Sequence, residues 1–174
     1  MIALILILGT IIGFGVWIYW PELFIGAGWS PTPLKTVRKM LQMAKVKSDD
    51  LLYDLGCGDG RIIKMATSEF GAKAVGIEAD PLRFLFSLIR IKITKAGKKA
   101  KVIWGNFFNI NLEKATVITV FLSREVNEKL KEKFQKELRP GTRIISYYWV
   151  FPGWRISKID ESHQIYLYKI GEHK

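Results

Sequence analysis

Uncharged positions open the chain. From Ile2 to Trp20 there is no acid or base and little polarity beyond Thr10 and Tyr19. Roughly 19 residues extend about 28 Å as an α-helix, close to the hydrocarbon thickness of a bilayer, so the pattern predicts one transmembrane helix over 1–22. Trp17, Tyr19 and Trp20 gather at its end like an interfacial belt, and Pro21 with Glu22 predicts a helix stop. A core helix rarely stays apolar on every face. A cleaved signal peptide would begin with basic residues, which are missing, although Gly26-Ala27-Gly28 could pass as a poor cleavage site. The nearest cations, Lys35, Arg38 and Lys39, follow the segment. The positive-inside rule then predicts a single-pass protein of the cell membrane whose main domain is cytoplasmic.

After a linker over 23–34, helical and strand patterns alternate through 35–174, the sign of an α/β fold with a mostly parallel sheet. A helix is predicted over 33–44, with proline in its first turn and Val37, Met40, Leu41 and Ala44 at helical spacing. "LLYDLG" reads as a buried strand, 61–70 as a helix, 72–78 as a strand and 81–95 as a long amphipathic helix. Strands follow at 101–104 and 116–121, a helix at 124–138 and a strand at 142–147. "WRISKID" and "QIYLYKIG" then predict a closing hairpin around Glu161-Ser162, for seven strands in one sheet.

Composition narrows the chemistry. A chain of 174 residues suits one ordinary domain, and its formal charge of +11 suits anionic lipid, nucleic acid or an acidic protein face without choosing among them. A single cysteine, Cys57, excludes an intramolecular disulfide, and two histidines, His163 and His173, make metal-dependent chemistry a poor fit.

The chemistry therefore falls to the glycine loop "YDLGCGDGRI", between the first strand and the next helix, where open α/β sheets bind ligands. Gly56, Gly58 and Gly60 let the backbone pass close to a bound molecule and turn sharply. The dinucleotide fingerprint would need a third glycine at 61, which is Arg61. A pyrophosphate also tolerates carboxylates badly, whereas a cationic sulfonium with a free amino group tolerates Asp54 and Asp59. Glu78, about twenty residues beyond the loop, is placed to accept bonds from both ribose hydroxyls. After the third strand, Asn106 is a candidate for the adenine edge and Phe107 for the ring face; the competing reading is a loop asparagine beside core phenylalanines.

Together these residues resemble the first motif and adenosine site of class I S-adenosylmethionine-dependent methyltransferases. The runs "SPTPLKTVRKMLQMAKV", "YDLGCGDGRI", "AVGIEAD", "GNFF", "VNEKLKEKFQKELRPGTRIIS" and "IYLYKIGEHK" resemble, more narrowly, the archaeal broad-specificity protein lysine methyltransferases. The chain is similar, less closely, to the mitochondrial lysine methyltransferases of the adenine nucleotide translocase and of the ATP synthase c subunit. The resemblance implies a Rossmann-like seven-stranded sheet with helices on both faces and S-adenosylmethionine as cofactor. It further implies that Thr32 lies over the cofactor, that Asp54 to Gly60 cradles its methionine part, that Glu78 binds ribose, and that Asn106 and Phe107 flank adenine. Where soluble archaeal relatives carry histidine and acids after the fifth strand, this chain reads "SYYWVFPGW", nearer in character to the mitochondrial enzymes.

Lysine as acceptor brings a constraint, since an amine of pKa about 10.4 costs roughly 4 to 5 kcal/mol to deprotonate at pH 7. A narrow, partly dry channel beside the sulfonium offsets that cost, and Phe121, Ser123, Tyr147 and Tyr148, at the carboxyl ends of strands four and five, are its candidate walls. No residue stands out as a general base. The N/D-P-P-Y motif for nucleobase amines is missing from "VITVFLS", which weighs against nucleic acid. The expected partners are protein substrates with accessible lysines and a bilayer contacted through residues 2–20. The basic run Lys92, Lys95, Lys98, Lys99 and Lys101, with Arg83 and Arg90, reads as a solvated helix face or as a membrane-surface patch. Two rivals stay open: methylation of a lipid headgroup or other amphiphile, and a non-catalytic cofactor-binding membrane adaptor.

Overall fold

A computed structural model describes residues 2–24, 30–94, 97 and 99–172, with the backbone alone for 17–24. The chain divides into two compact units, Met1–Ser30 and Pro31–Lys174.

The first unit carries α1 (Ile2–Phe24), which runs on through Pro21 and Glu22, so the helix stop expected at Pro21 is absent. Among the described residues no helix is long and apolar enough to cross a membrane. The expectation of a transmembrane helix is corrected accordingly, and the single-pass membrane placement with its cytoplasmic domain falls with it.

The second unit is a seven-stranded sheet in the order β3-β2-β1-β4-β5-β7-β6. Its strands are β1 (Leu51–Leu55), β2 (Lys73–Glu78), β3 (Ala100–Trp104), β4 (Val117–Val120), β5 (Arg143–Tyr147), β6 (Lys158–Asp160) and β7 (Ile165–Lys169). The helices are α2 (Leu34–Met43), α3 (Arg61–Ser68), α4 (Pro81–Ile93) and α5 (Arg124–Glu137). Strands β1 to β5 pair in parallel, and β7 enters antiparallel between β5 and β6. The strand order reverses between β1 and β4. By the rule that such crossovers are right-handed, this reversal puts the helices of the two halves on opposite faces and opens a crevice at the carboxyl ends of β1 and β4.

Local sequence explains these elements. β4 is buried at all four positions, as the central strand of a doubly covered sheet must be. Of "WRISKID" only Lys158–Asp160 pairs, and the hairpin turn is a short 3₁₀ segment, Glu161–His163, capped by the Asp160 carboxylate. Val37, Met40 and Leu41 of α2 sit in a core with Leu52, Ile63, Ala66, Ala74 and Ile145. In α4 the inward face is mixed, with Arg83 and Ser87 buried beside Ile91 and with Phe84 and Leu88 packed on the core, while Leu82, Leu85, Phe86 and Ile89 face outward.

At the amino ends of the central strands a polar knot ties the layers together. Asp50 accepts from the Thr116 hydroxyl (2.7 Å) and pairs with Arg143, whose Nη1 also donates to the carbonyls of Ala44 (2.7 Å) and Lys45 (3.0 Å). The Thr116 hydroxyl in turn accepts from the Leu51 amide at 3.0 Å.

Candidate active site

The carboxyl ends of the same strands are organised differently. Gly56, Gly58 and Gly60 have φ of +76°, +55° and +76°, conformations that side chains resist, so the loop is possible because these positions are glycine. Its entrance is fixed by the amides of Gly56 and Cys57, which both donate to the Ile77 carbonyl at 2.9 and 3.0 Å. Its middle is fixed by Glu78, whose Oε2 accepts from the Gly58 amide at 2.7 Å while Oε1 accepts from the Asp80 amide at 2.9 Å. Burial raises the Glu78 carboxyl above its ordinary range, and the two amide bonds and Arg83 oppose the shift. Glu78 thus binds the loop itself, and its carboxylate still has lone pairs free for further donors.

Asp54, at 2% exposure, is the penultimate residue of β1, just before this loop. Its Oδ1 accepts from the Thr119 hydroxyl at 2.7 Å, whereas Oδ2 is buried with no hydrogen-bond partner. Burial, helped by the charges of Glu78 and Asp59 and opposed by the Thr119 bond, pushes its carboxyl up to about 7. Buried polar atoms are rarely left without a partner, and an unpartnered carboxylate oxygen calls for a donor, ideally a cationic one.

Asp59 plays another part. It pairs with Arg61 at 2.8 Å and Arg90 at 2.9 Å; burial pushes its carboxyl up, but the two guanidiniums outweigh this and hold it below the ordinary carboxylate range. Arg61, which in the sequence only broke the dinucleotide pattern, donates from Nη1 to the carbonyl of buried Thr32 at 2.9 Å. It ties the Pro31-Thr32-Pro33 segment to the glycine loop, a link that no motif signalled.

Beyond β3, Asn106 uses its Oδ1 to cap the short 3₁₀ turn Phe107–Asn109, accepting from the Phe108 amide at 2.9 Å. Phe107 is buried, with its ring centre 4.8 Å from that of Phe108. The exposed aromatic there is Trp104, which pairs with Glu78 in the β2–β3 register. Its indole N–H donates to the Ala79 carbonyl at 3.0 Å and its ring stacks on Phe84 at 6.3 Å. Strand patterning hid it, because a tryptophan closing an edge strand looks like packing.

On the other side, Phe121 and Tyr147 come together with ring centres 4.5 Å apart, Tyr148 follows at 6.4 Å from Tyr147, and Trp149 at 5.0 Å from Tyr148. The four rings form a wall beyond β4 and β5. Ser123 is the cap of α5, its hydroxyl accepting from the Val126 amide at 3.3 Å. Among the described residues no cluster of histidine, cysteine and carboxylates suits a metal ion.

Comparisons with known proteins agree on a family. Residues 54–158 match the model described as the ANTKMT methyltransferase domain. The chain is 47% identical over 151 residues to a protein-lysine N-methyltransferase of Saccharolobus islandicus, covering 83% of this chain and 94% of that protein. It is 34% identical over 107 residues to the adenine nucleotide translocase lysine N-methyltransferase of Mus musculus, of whose length it spans 45%. Among solved structures it resembles an RNA methyltransferase from Salinibacter ruber in complex with S-adenosyl-L-homocysteine. That match has a TM-score of 0.80 and 34% identity, and covers 83% of this chain and 96% of that one.

Proposed function

On the premise that the chain belongs to the ANTKMT methyltransferase domain family and is an S-adenosylmethionine-dependent protein-lysine N-methyltransferase, we propose how its residues divide the work. Asp54, Gly56, Gly58, Gly60 and Glu78 hold the cofactor. The aromatic wall of Phe121, Tyr147 and Tyr148 receives the lysine.

The observation that carries this reading is the unpartnered Oδ2 of Asp54, a buried acceptor just before three left-handed glycines. An amino acid ammonium group is the donor that such an oxygen lacks, and the carboxyl, poised near 7, ionises readily beside a cation. Glu78 offers its remaining lone pairs to ribose hydroxyls, and Trp104 presents an aromatic face at the neighbouring strand end. Thr32 and Arg61 close the near edge. Asn106 and Asp59 support the site through the 3₁₀ turn and the arginine pair, and Phe107 supports it from the core. Ser123 starts the helix behind the acceptor wall.

S-adenosylmethionine, when bound, supplies an electrophilic methyl group on a sulfonium. The chain's part is to present a neutral amine in line with it. Phe121 and Tyr147 offer a partly dry face that disfavours the charged form of an entering lysine, and the Tyr147 and Tyr148 hydroxyls are acceptors that orient its nitrogen. The ammonium proton is lost to solvent before the amine seats, since no side chain at the wall is a carboxylate or imidazole.

The acceptors are proteins with accessible lysines. Incubation of the purified full chain with a tritiated methyl donor, a pool of single-lysine peptides, extracted lipid and total RNA tests this. Label is expected in the peptides and at lysine; label confined to lipid or RNA refutes the lysine acceptor.

A further inference from the structure

The segment after β5 is strained at the point where the aromatic wall turns outward. Tyr148 has φ of +68°, an uncommon conformation for a bulky side chain. The Trp149 amide donates back to the Tyr147 carbonyl at 2.8 Å, closing a three-residue turn of the rarer, positive-φ kind. The Tyr148 amide donates at 2.7 Å to the carbonyl of Gln164, itself a non-glycine residue at φ of +52°. Strain of this sort persists only where the surroundings over-determine it, and it concentrates at functional sites.

Asn127 is the residue that over-determines it. It lies on α5 at 0% exposure, and its Nδ2 donates to the carbonyls of Trp149 at 3.1 Å and Val150 at 3.4 Å, with the Ser146 hydroxyl also at 3.4 Å. The Ser146 hydroxyl donates to the same Trp149 carbonyl. The orientation of the amide is dictated by these acceptors, because a flipped group would set oxygen against oxygen. The arrangement leaves Asn127 Oδ1 buried without a partner, a cost that an apolar residue would avoid. A residue kept at such a cost to stability is explained by what it holds in place.

We propose that Asn127, backed by Ser146, is a positioning residue for the methyl acceptor: its buried amide locks the strained turn at Tyr148 and so sets the aromatic wall that receives the lysine. The inference rests on the acceptor site assigned above. Among the described residues the Asn127 amide donates to Ser146 and to the carbonyls of Trp149 and Val150, so it acts through the backbone of the turn and leaves the cofactor side alone.

The test uses the full chain and one single-lysine peptide, the pool member that the unmodified enzyme methylates fastest. Asn127→Ala is expected to raise the peptide KM by ~10-fold or more with cofactor Kd within twofold, a split that a general loss of structure would not produce. Asn127→Asp, which turns an acceptor toward the carbonyls, is expected to be worse than Asn127→Ala. Ser146→Ala should give a smaller loss of the same kind if the Asn127 variants do not fold. Amide hydrogen exchange of the segment 147–152 should quicken in the variants while that of β1 and β4 does not. Unchanged peptide KM, or equal losses in peptide and cofactor affinity, overturns the proposal, as does unchanged exchange. An unmodified enzyme that binds S-adenosylmethionine yet labels no lysine peptide refutes the acceptor assignment itself, and that result is read before any variant is made.

Discussion

Replacing Asp54 by asparagine should remove a pH dependence that runs opposite to the usual carboxylate case. Burial raises the folded-state carboxyl from the ordinary 3.8 to about 7, so the folded chain holds this proton more tightly than the unfolded one. The contribution is fully present below 3.8 and is lost as pH rises through about 7. At 1.36 kcal/mol per pH unit, the gap between the two values corresponds to roughly 4 kcal/mol of unfolding free energy lost across that window. Asp54→Asn keeps the shape and the buried polarity but cannot ionise, so its stability should lack that decline and exceed the unmodified chain's above pH 7. Urea midpoints measured every half unit from pH 4.5 to 8.5 read the difference directly. The same group gives a second signature: a bound cation favours the ionised form, so cofactor binding at pH 6 should release protons, detected by calorimetry in buffers of different ionisation enthalpy. Parallel stability curves for the two chains, or no proton release, would refute the argument that Asp54 is a buried carboxyl awaiting a cationic donor.

Three further outcomes are expected. Glu78→Ala should weaken S-adenosylmethionine by about 1–3 kcal/mol in calorimetry, through lost ribose bonds and through release of the Gly58 amide now held at 2.7 Å; unchanged affinity removes the assignment. Arg61→Lys keeps a charge near Asp59 but loses the guanidinium fork that reaches both Asp59 and the Thr32 carbonyl, so cofactor affinity should fall by roughly 3- to 10-fold, read in the same titration. Gly76→Ala would set a Cβ 2.6 Å from Cys57 Sγ and 3.0 Å from Ile63 Cδ1 inside the sheet, and urea unfolding should show a loss of about 1–3 kcal/mol.

Much of the fold was legible because its strands are short apolar runs bounded by glycine, proline and charge. The glycine loop was legible for a different reason, since only a demanding backbone explains three glycines in five residues, and all three adopt positive φ. What the letters could not convey was the pairing of polar groups across elements. Asp54 and Asp59 look alike in "DLGCGDG", yet one keeps an unpartnered oxygen and the other is claimed by Arg61 and Arg90, partners fixed by the α3 and α4 packing. Ser123 sits before "REVNEK", where a serine fits a helix cap, and that is the bond its hydroxyl makes. Asn127 lay unnoticed within a charged helical run, because burial of one polar position cannot be read from periodicity alone. The long apolar opening misled in the other direction: its letters fit a bilayer span, yet among the described residues no helix is long and apolar enough to cross a membrane.

The knot of Asp50, Arg143, Thr116 and the α2 carbonyls has a consequence for anyone reading variants of this chain. At the amino ends of the strands Asp50, Thr116 and Arg143 close on one another, while at the carboxyl ends Asp54 leaves an acceptor open. In a deep mutational scan scored both for protein abundance in cells and for methyl transfer, the two ends should separate. Changes at Asp50 or Arg143 should deplete the protein and lower activity only in proportion. Changes around the crevice should leave a well-populated protein that has stopped transferring methyl groups.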